Sequence, residues 1–577
     1  MRQGLTGEVR GCTRSRAEMR AETMHPTSLI PTSARHFRRP TPVVAVAVAA
    51  FLFGIAPSLA SANGFHVNIT SAASARKAAK QDPNRGSLGV AARRAIHHGY
   101  LVPNQARYDR QKARATRRAA SGEALTAPVS GPLAPSIISG RSWQGINSTN
   151  VTPPDETSAV GTTRYIELVN IKFAIYNKTS NSPITTGGIN SLVGAGSTDD
   201  VFDVQIIWDP TTSRFYYAAD DVVSSSNNRL AFGFSKTASP SSAADFCKYT
   251  AGFGANFPDF PKLGDSQFFM MIGSNVFSGS GPFLGSDLLA ISKPPAGASC
   301  PAASSFKIDD AGPLMTDATT KAFTPVAANE IDTKATGFAV ARPRPLPATR
   351  LSLFKVTKDA TTGNPVIQST GTPVTVPSYD LPPNAPQKGS INKIDTSDAR
   401  QTQAVAAVDP AHGSKFAIWT QHTINVGGRA AVRWYEIDPG ANSLLQSGTA
   451  SNPSLFQFNG AISPNRQVNG ATHAGGNAMV LNYNSSSSTA FPGIRMVSKF
   501  ATGAQSVPVV VKNSPGPLSG FDCDLATQFC RWGDYAAATP DPSTANRIWQ
   551  VSQFAVGSGS GTTGPATSRT WNFVATP

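Results

Sequence analysis

The sequence predicts an all-β protein: a single β-propeller of six or seven four-stranded blades, preceded by a signal peptide and a basic N-terminal segment that is partly disordered or helical. Three observations carry this. Of 577 residues, 15% are charged and 40% hydrophobic, with 49 Gly and 44 Pro, a balance that supports a large core of short strands joined by turns and disfavours long helices. Seven similar apolar segments recur with no helical periodicity between them. Three of these follow the same Asp-Pro turn.

The first element is an export signal. Arg35, Arg38 and Arg39 precede the apolar run from Val43 to Ala56, and the segment ends in Ala60, Ser61 and Ala62. A basic region, an apolar region and a small-x-small site stand in the order a signal peptide requires, with cleavage expected after Ala62. The run is shorter than the roughly 20 residues that span a bilayer, so no membrane anchor is expected after cleavage. Met24 makes a more ordinary start than Met1, and Arg38-Arg39 is followed at once by Pro40, outside the twin-arginine consensus. A secreted, extracellular protein follows. Cysteine usage agrees: Cys12 precedes the cleavage point and leaves Cys247, Cys300, Cys523 and Cys530, an even number for an oxidising compartment. Three pairings are open. The close pair, Cys523 with Cys530, is favoured, leaving Cys247 with Cys300. None stands in CxxC or beside His at zinc spacing, so they read as structural, with no metal.

Residues 63–140 form the second element, an Ala- and Arg-rich tether or pro-segment with paired bases at Arg76-Lys77, Arg93-Arg94 and Arg117-Arg118. No sustained helical stripe runs through it. Of the net charge of +16, residues 1–135 hold 20 Lys or Arg against 6 Asp or Glu. The body is therefore close to neutral and has no electrostatic footprint for nucleic acid, whereas residues 63–135 could adhere to an anionic cell envelope.

The third element, residues 141–577, carries the repeat. The segments are Arg164 to Asn170, Arg214 to Asp220, Gln267 to Gly273, Gly337 to Pro343, Lys415 to Gln421, Asn477 to Tyr483 and Arg547 to Gln553. Asp209-Pro210, Asp409-Pro410 and Asp541-Pro542 precede the second, fifth and seventh. Asp caps its own turn and Pro presets φ, so each pair marks a hairpin. Repetition every 50 to 78 residues reads as propeller blades. Two sandwiches in series are the competing layout, but the Pro-rich patch Pro382 to Pro386 fits an inter-blade loop equally well.

Four stretches, Pro153 to Gly161 with Tyr165 and Asn170, Phe257 to Gly264, Asp395 to Arg400, and Cys530 to Pro542, resemble secreted bacterial proteins with sialidase-like, or neuraminidase-type, β-propellers. The run Arg531 to Tyr535 is the most specific piece. The resemblance spans most of the body and implies a propeller and export. The Asp-box Ser-x-Asp-x-Gly-x-x-Trp is absent, and the arginine triad, Tyr nucleophile and supporting Glu of sialidases are not assembled, so hydrolysis is not implied with the fold.

Innermost strands of a propeller converge on a channel, and residues just before them face its mouth. Asp155, Asp259, Asp398, Arg400, Arg531, Asp534 and Tyr535 stand at such places. They are the candidate ligand-binding set, with the two arginines receiving an anionic or hydroxylated ligand and the carboxylates fixing sugar hydroxyls or Ca²⁺. The plainer reading is that Asp534 caps a turn and pairs with Arg531. Asp199, Asp200 and Asp203 lack the spacing of a calcium loop. HExxH, GxSxG, P-loop and GxGxxG motifs are absent, and no spacing promotes His473 or Tyr535 as an acid, base or nucleophile. The expectation is a monomeric exported binding protein for a glycan or protein ligand, with no catalytic residue assigned and no cofactor beyond that Ca²⁺. The alternatives are a sialidase-type glycoside hydrolase with diverged catalytic residues and a structural envelope protein.

Overall fold

Strand-forming residues and Asp, Gly and Pro turns alternate through the body, and in the computed structural model they resolve into eight sheets among the described residues. Those residues are 64–82, 101–120, 134–146, 151–279, 281–295, 297, 299–466, 475–524, 528–557 and 567–577. The expected signal peptide, residues 1–62, lies outside them, as do Arg93, Arg94 and His473.

Seven sheets are built outward from a long innermost strand as antiparallel ladders, the fifth also carrying the short parallel strand Asn329–Glu330 inside its Gln401–Asp409. The innermost strands are Thr157–Val160, Asp200–Asp209, Asn256–Asp265, Ala322–Ala327, Gln401–Asp409, Phe456–Pro464 and Ala537–Pro540. Each packs against the next, and the seventh packs against the first, so the ring closes as a propeller. The seven repeated sequence segments fall in the second strand of each blade, one step out from the axis: Arg164–Val169, Arg214–Ser224, Phe269–Ser278, Gly337–Pro343, Lys415–Val426, Ala478–Ser487 and Ile548–Ala555. They carry apolar stretches on successive residues because neighbouring blades cover both faces; Arg214–Ser224 is buried at every position, Asp220 and Asp221 included.

The Asp-Pro turns join first and second strands in the second, fifth and seventh blades. In each, the Asp Oδ1 accepts an amide two residues on: Thr211 at 2.9 Å, Ala411 at 2.7 Å and Ser543 at 2.9 Å. This Asx turn gives the backbone polar groups a partner where the ladder ends.

The last blade is completed from the other end of the chain. Ser136–Gln144 pairs with Ser568–Thr576 as its outer strand, so this blade begins ahead of the boundary expected at residue 141. Asn68–Ser71 likewise adds a fifth strand to the second blade, and the helices Ala72–Ala79 and Gln105–Ala120 follow. Within the segment expected as a tether, residues 64–82 and 101–120 thus carry regular structure. No helix among the described residues is long and apolar enough to cross a membrane.

Both favoured disulfides form, Cys247–Cys300 and Cys523–Cys530. The second lies in the eighth, small sheet, where Ser390–Ile394 runs parallel to Phe529–Cys530. That pairing sets Asp395 beside Arg531.

Candidate functional site

The channel mouth is built by one backbone device used repeatedly. Near the start of six innermost strands a non-glycine residue takes a left-handed conformation: Asp155 (φ 48°), Asp203 (51°), Phe260 (60°), Thr324 (56°), Ala399 (65°) and Asn459 (49°). Four of these innermost strands carry a register shift around that residue, as between Phe202 and Gln205 or Asp259 and Lys262. A bulge bends the strand and re-aims its side chains, here toward the axis. The conformation costs about 1–2 kcal/mol per residue. Side chains from the preceding blade offset it by capturing the strained amides: Asp203 N–H donates to Asn170 Oδ1 (2.9 Å), Thr324 N–H to Asn275 Oδ1 (2.8 Å) and Asn459 N–H to Thr423 Oγ1 (3.3 Å).

All seven candidate residues meet there. Arg531 reaches Asp395 Oδ2 through Nη1 (2.6 Å) and Asp534 through Nη2 (2.9 Å). The Asp534 amide donates to Asp155 Oδ1 at 2.7 Å, and Asp155 Oδ2 accepts from Asn170 Nδ2 at 2.8 Å. Arg400 bonds Asp398 through Nε at 2.9 Å, faces Asp259 at 3.9 Å and lies over the Phe260 ring at 4.4 Å. Tyr535 donates its hydroxyl to the Val204 carbonyl at 3.0 Å. Burial pushes that phenol well above its ordinary range, which keeps the hydroxyl protonated.

Sequence reasoning missed four members. Asp395 pairs with Arg531. Arg342 Nη2 lies 3.4 Å from Asp398. Asp203 separates from its sequence neighbour Asp199, which pairs with Arg229 instead. Lys262 is buried with its ammonium 3.2 Å from the Tyr535 ring centre and no hydrogen-bond partner. Asp203 and Lys262 stand in bulges within their strands, which no sequence signal marked. Burial sets the electrostatics: it raises Asp203 and Asp259 to about 7, the neighbouring carboxylates adding and, at Asp259, Arg400 opposing, and it lowers Lys262 to about 7 against the pull of Asp203 and Asp155.

Below the mouth, a cavity of about 30 Å³ lined by Thr157, Gln205, Lys262, Gln403 and Thr539 has room for water but not for a sugar. Above it lies residue 101 onward. Arg400 Nη2 donates to the Leu101 carbonyl at 3.0 Å, and Lys112 Nζ donates to Thr396 Oγ1 at 2.9 Å, 3.9 Å from Asp395.

One group with metal-ligating geometry occurs among the described residues. It is Asp409, His412 and Glu436, at the opposite end of the innermost strand that follows Arg400.

No protein-family model and no curated protein matches the chain. Among solved structures, a GH43_1 enzyme from Xanthomonas citri complexed with xylotriose aligns with 54% of this chain and 86% of its own at 11% identity and a TM-score of 0.26. The Hadza microbial sialidase Hz136 aligns with 72% of this chain and 74% of its own at 9% identity and a TM-score of 0.33. A Synechocystis apocarotenoid oxygenase mutant aligns with 62% and 71% at 10% identity and 0.33. At these scores none of the three bears on what the chain binds or does.

Proposed function

We propose that the chain is an exported propeller that binds a glycan or protein ligand at this channel mouth. Arg400 and Arg531 receive its anionic or hydroxylated groups, and Asp155, Asp259, Asp398 and Asp534 orient the arginines and accept ligand hydroxyls. The supporting observation is convergence. Charges from loops hundreds of residues apart are buried against one another at a single mouth, where Arg531 meets Asp395 and its neighbour Asp534 meets Asp155. Buried ion pairs are often no more stable than apolar packing of the same volume, so a purely structural mouth has little use for them. Asp398 is paired with Arg400 and Asp395 and Asp534 with Arg531, so ligand binding is expected to survive EDTA, and Ca²⁺ plays no part in this reading.

A sialidase-type hydrolase is the second reading, supported by carboxyls at Asp203 and Asp259 that hold protons up to about 7, as a general acid does. A glycan array and a panel of fluorogenic glycosides, run on wild type and on Lys112→Glu to free the mouth, separate the two. Capture without turnover, weakened about ten-fold or more by Arg531→Ala in a chain that circular dichroism shows folded, is the expected result. Turnover abolished by Asp534→Ala favours the enzyme. Absence of any capture, or capture indifferent to Arg531→Ala, overturns the ligand site.

A further inference from the structure

We infer that the mouth is a receptor for a basic helical peptide, and that residues 101–120 of the same chain are its resident ligand. This rests on reading the mouth as a binding site but assigns a different ligand: Asp395 takes a cationic side chain, and Arg400 takes a backbone carbonyl in place of an anionic group. The helix Gln105–Ala120 begins at Asn104, whose side chain accepts the Arg107 amide at 2.9 Å as an N-cap. Tyr108, Gln111, Lys112 and Ala115 are its covered positions, at helical spacing, while Arg107, Arg110, Arg114 and Arg117 remain exposed. Leu101 packs on Phe202, Val222 and Phe257 beside the mouth, and Tyr108 on the core between the fourth and fifth blades.

The anchor is Lys112. Its ammonium enters the mouth between Thr396 and Asp395 and stays charged at neutral pH, since burial lowers it only to about 8 against Asp395 and Asp398. With Arg400 held by the Leu101 carbonyl, the segment occupies groups that an incoming ligand would use. The fit is loose. A cavity of about 200 Å³ remains between Arg107, Tyr108 and Gln111 on the helix and Arg342, Leu346 and Asp398 on the propeller, and unfilled volume forfeits the dispersion contacts a permanent interface would make.

Fluorescence anisotropy of a labelled synthetic peptide of residues 101–120, added to the full chain, tests this. Wild type is expected to bind it weakly because the site is filled in cis. Lys112→Glu, which breaks the anchor on a helix outside the propeller, is expected to bind it about ten-fold more tightly or better, and a peptide carrying Lys112→Glu is expected to bind neither. Amide exchange over residues 101–120 should accelerate in the variant, which also establishes that the helix left. Equal peptide binding by both chains, or unchanged exchange, overturns the inference. Peptide binding with an empty glycan array sinks the glycan reading and spares this one; glycan capture indifferent to Lys112→Glu does the reverse.

A separate observation carries a second site. The geometry assigns a divalent-cation position to Asp409, His412 and Glu436, of the class that takes nitrogen and carboxylate ligands, such as Zn²⁺. His412 Nδ1 contacts Asp409 Oδ2 and lies 3.6 Å from Glu436 Oε1. Glu436 is fully buried; its Oε2 accepts from Gln446 Nε2, while the Oε1 that faces His412 has no hydrogen-bond partner. The nearby Lys499 is engaged with the Gly503 carbonyl. Equilibrium dialysis of the full chain with Zn²⁺, read by elemental analysis, is expected to retain about one ion more in wild type than in Glu436→Gln or in His412→Gln, whose side chain is on a partly exposed turn. Equal retention by all three overturns it.

Discussion

A chain beginning at residue 146 is expected to melt at least about 10 °C below one beginning at residue 135, and to aggregate where the longer chain does not. The two differ by Ser136–Gln144, the outer strand of the last blade. Trp143 in this strand is 8% exposed and meets Tyr165, Tyr176 and Trp549 edge-on at 5.9, 6.0 and 6.3 Å. Losing a buried Trp alone costs about 3–5 kcal/mol. Arg141 lies between the Trp143 and Trp549 rings at 5.0 and 4.7 Å and donates to Asn181 and the Lys178 carbonyl in the first blade, so the strand also ties the first blade to the last. Its removal further leaves Ser568–Thr576 as an unpaired edge, the usual template for aggregation. Calorimetry and size-exclusion chromatography of the two chains check this; midpoints within about 3 °C would mean that the ring is not closed by this strand.

The strands were the legible part, for a physical reason. Arg214–Ser224 and its six counterparts are packed between blades, so burial writes itself as an apolar stretch such as Phe215 to Ala219, and the Asp-Pro turns mark where three of them reverse. Ser136–Gln144 was less legible because Gly140 and several polar residues interrupt it, and the partners of Trp143 come from elements far along the chain. The helix Gln105–Ala120 offered no apolar stripe because its docked face carries Gln111 and Lys112, whose burial depends on Thr396 and Asp395 nearly 300 residues away. At the mouth, Asp155, Asp398, Arg531 and Asp534 were recognisable by standing just before innermost strands. Asp203 and Lys262 were not, because bulges within their strands decide which way each side chain points.

Arg400→Met is expected to cost about 3–5 kcal/mol at neutral pH, because it keeps the bulk of the side chain, takes the guanidinium from Asp259 and leaves Asp398 with Arg342 alone. Arg400 is 1% exposed, and its guanidinium serves Asp398, Asp259 and the Leu101 carbonyl at once while stacking on Phe260 and Phe323. The pH dependence follows from Asp259. Burial raises this carboxyl to about 7 with Arg400 holding it down, against about 4 in the unfolded chain. A raised acid makes the folded state bind protons more tightly, so its contribution to stability falls as pH rises from about 4 to 7 and is then constant. Without Arg400 the folded value climbs above 7, and the variant goes on losing stability where wild type has stopped.

Urea denaturation of wild type and Arg400→Met at pH 6 and pH 8.5 tests directly whether charges from different blades hold one another at the mouth. The expected result is a gap of about 3 kcal/mol or more at pH 6 that widens by about 1–2 kcal/mol at pH 8.5. A gap below about 1 kcal/mol, or one that does not change with pH, would contradict it.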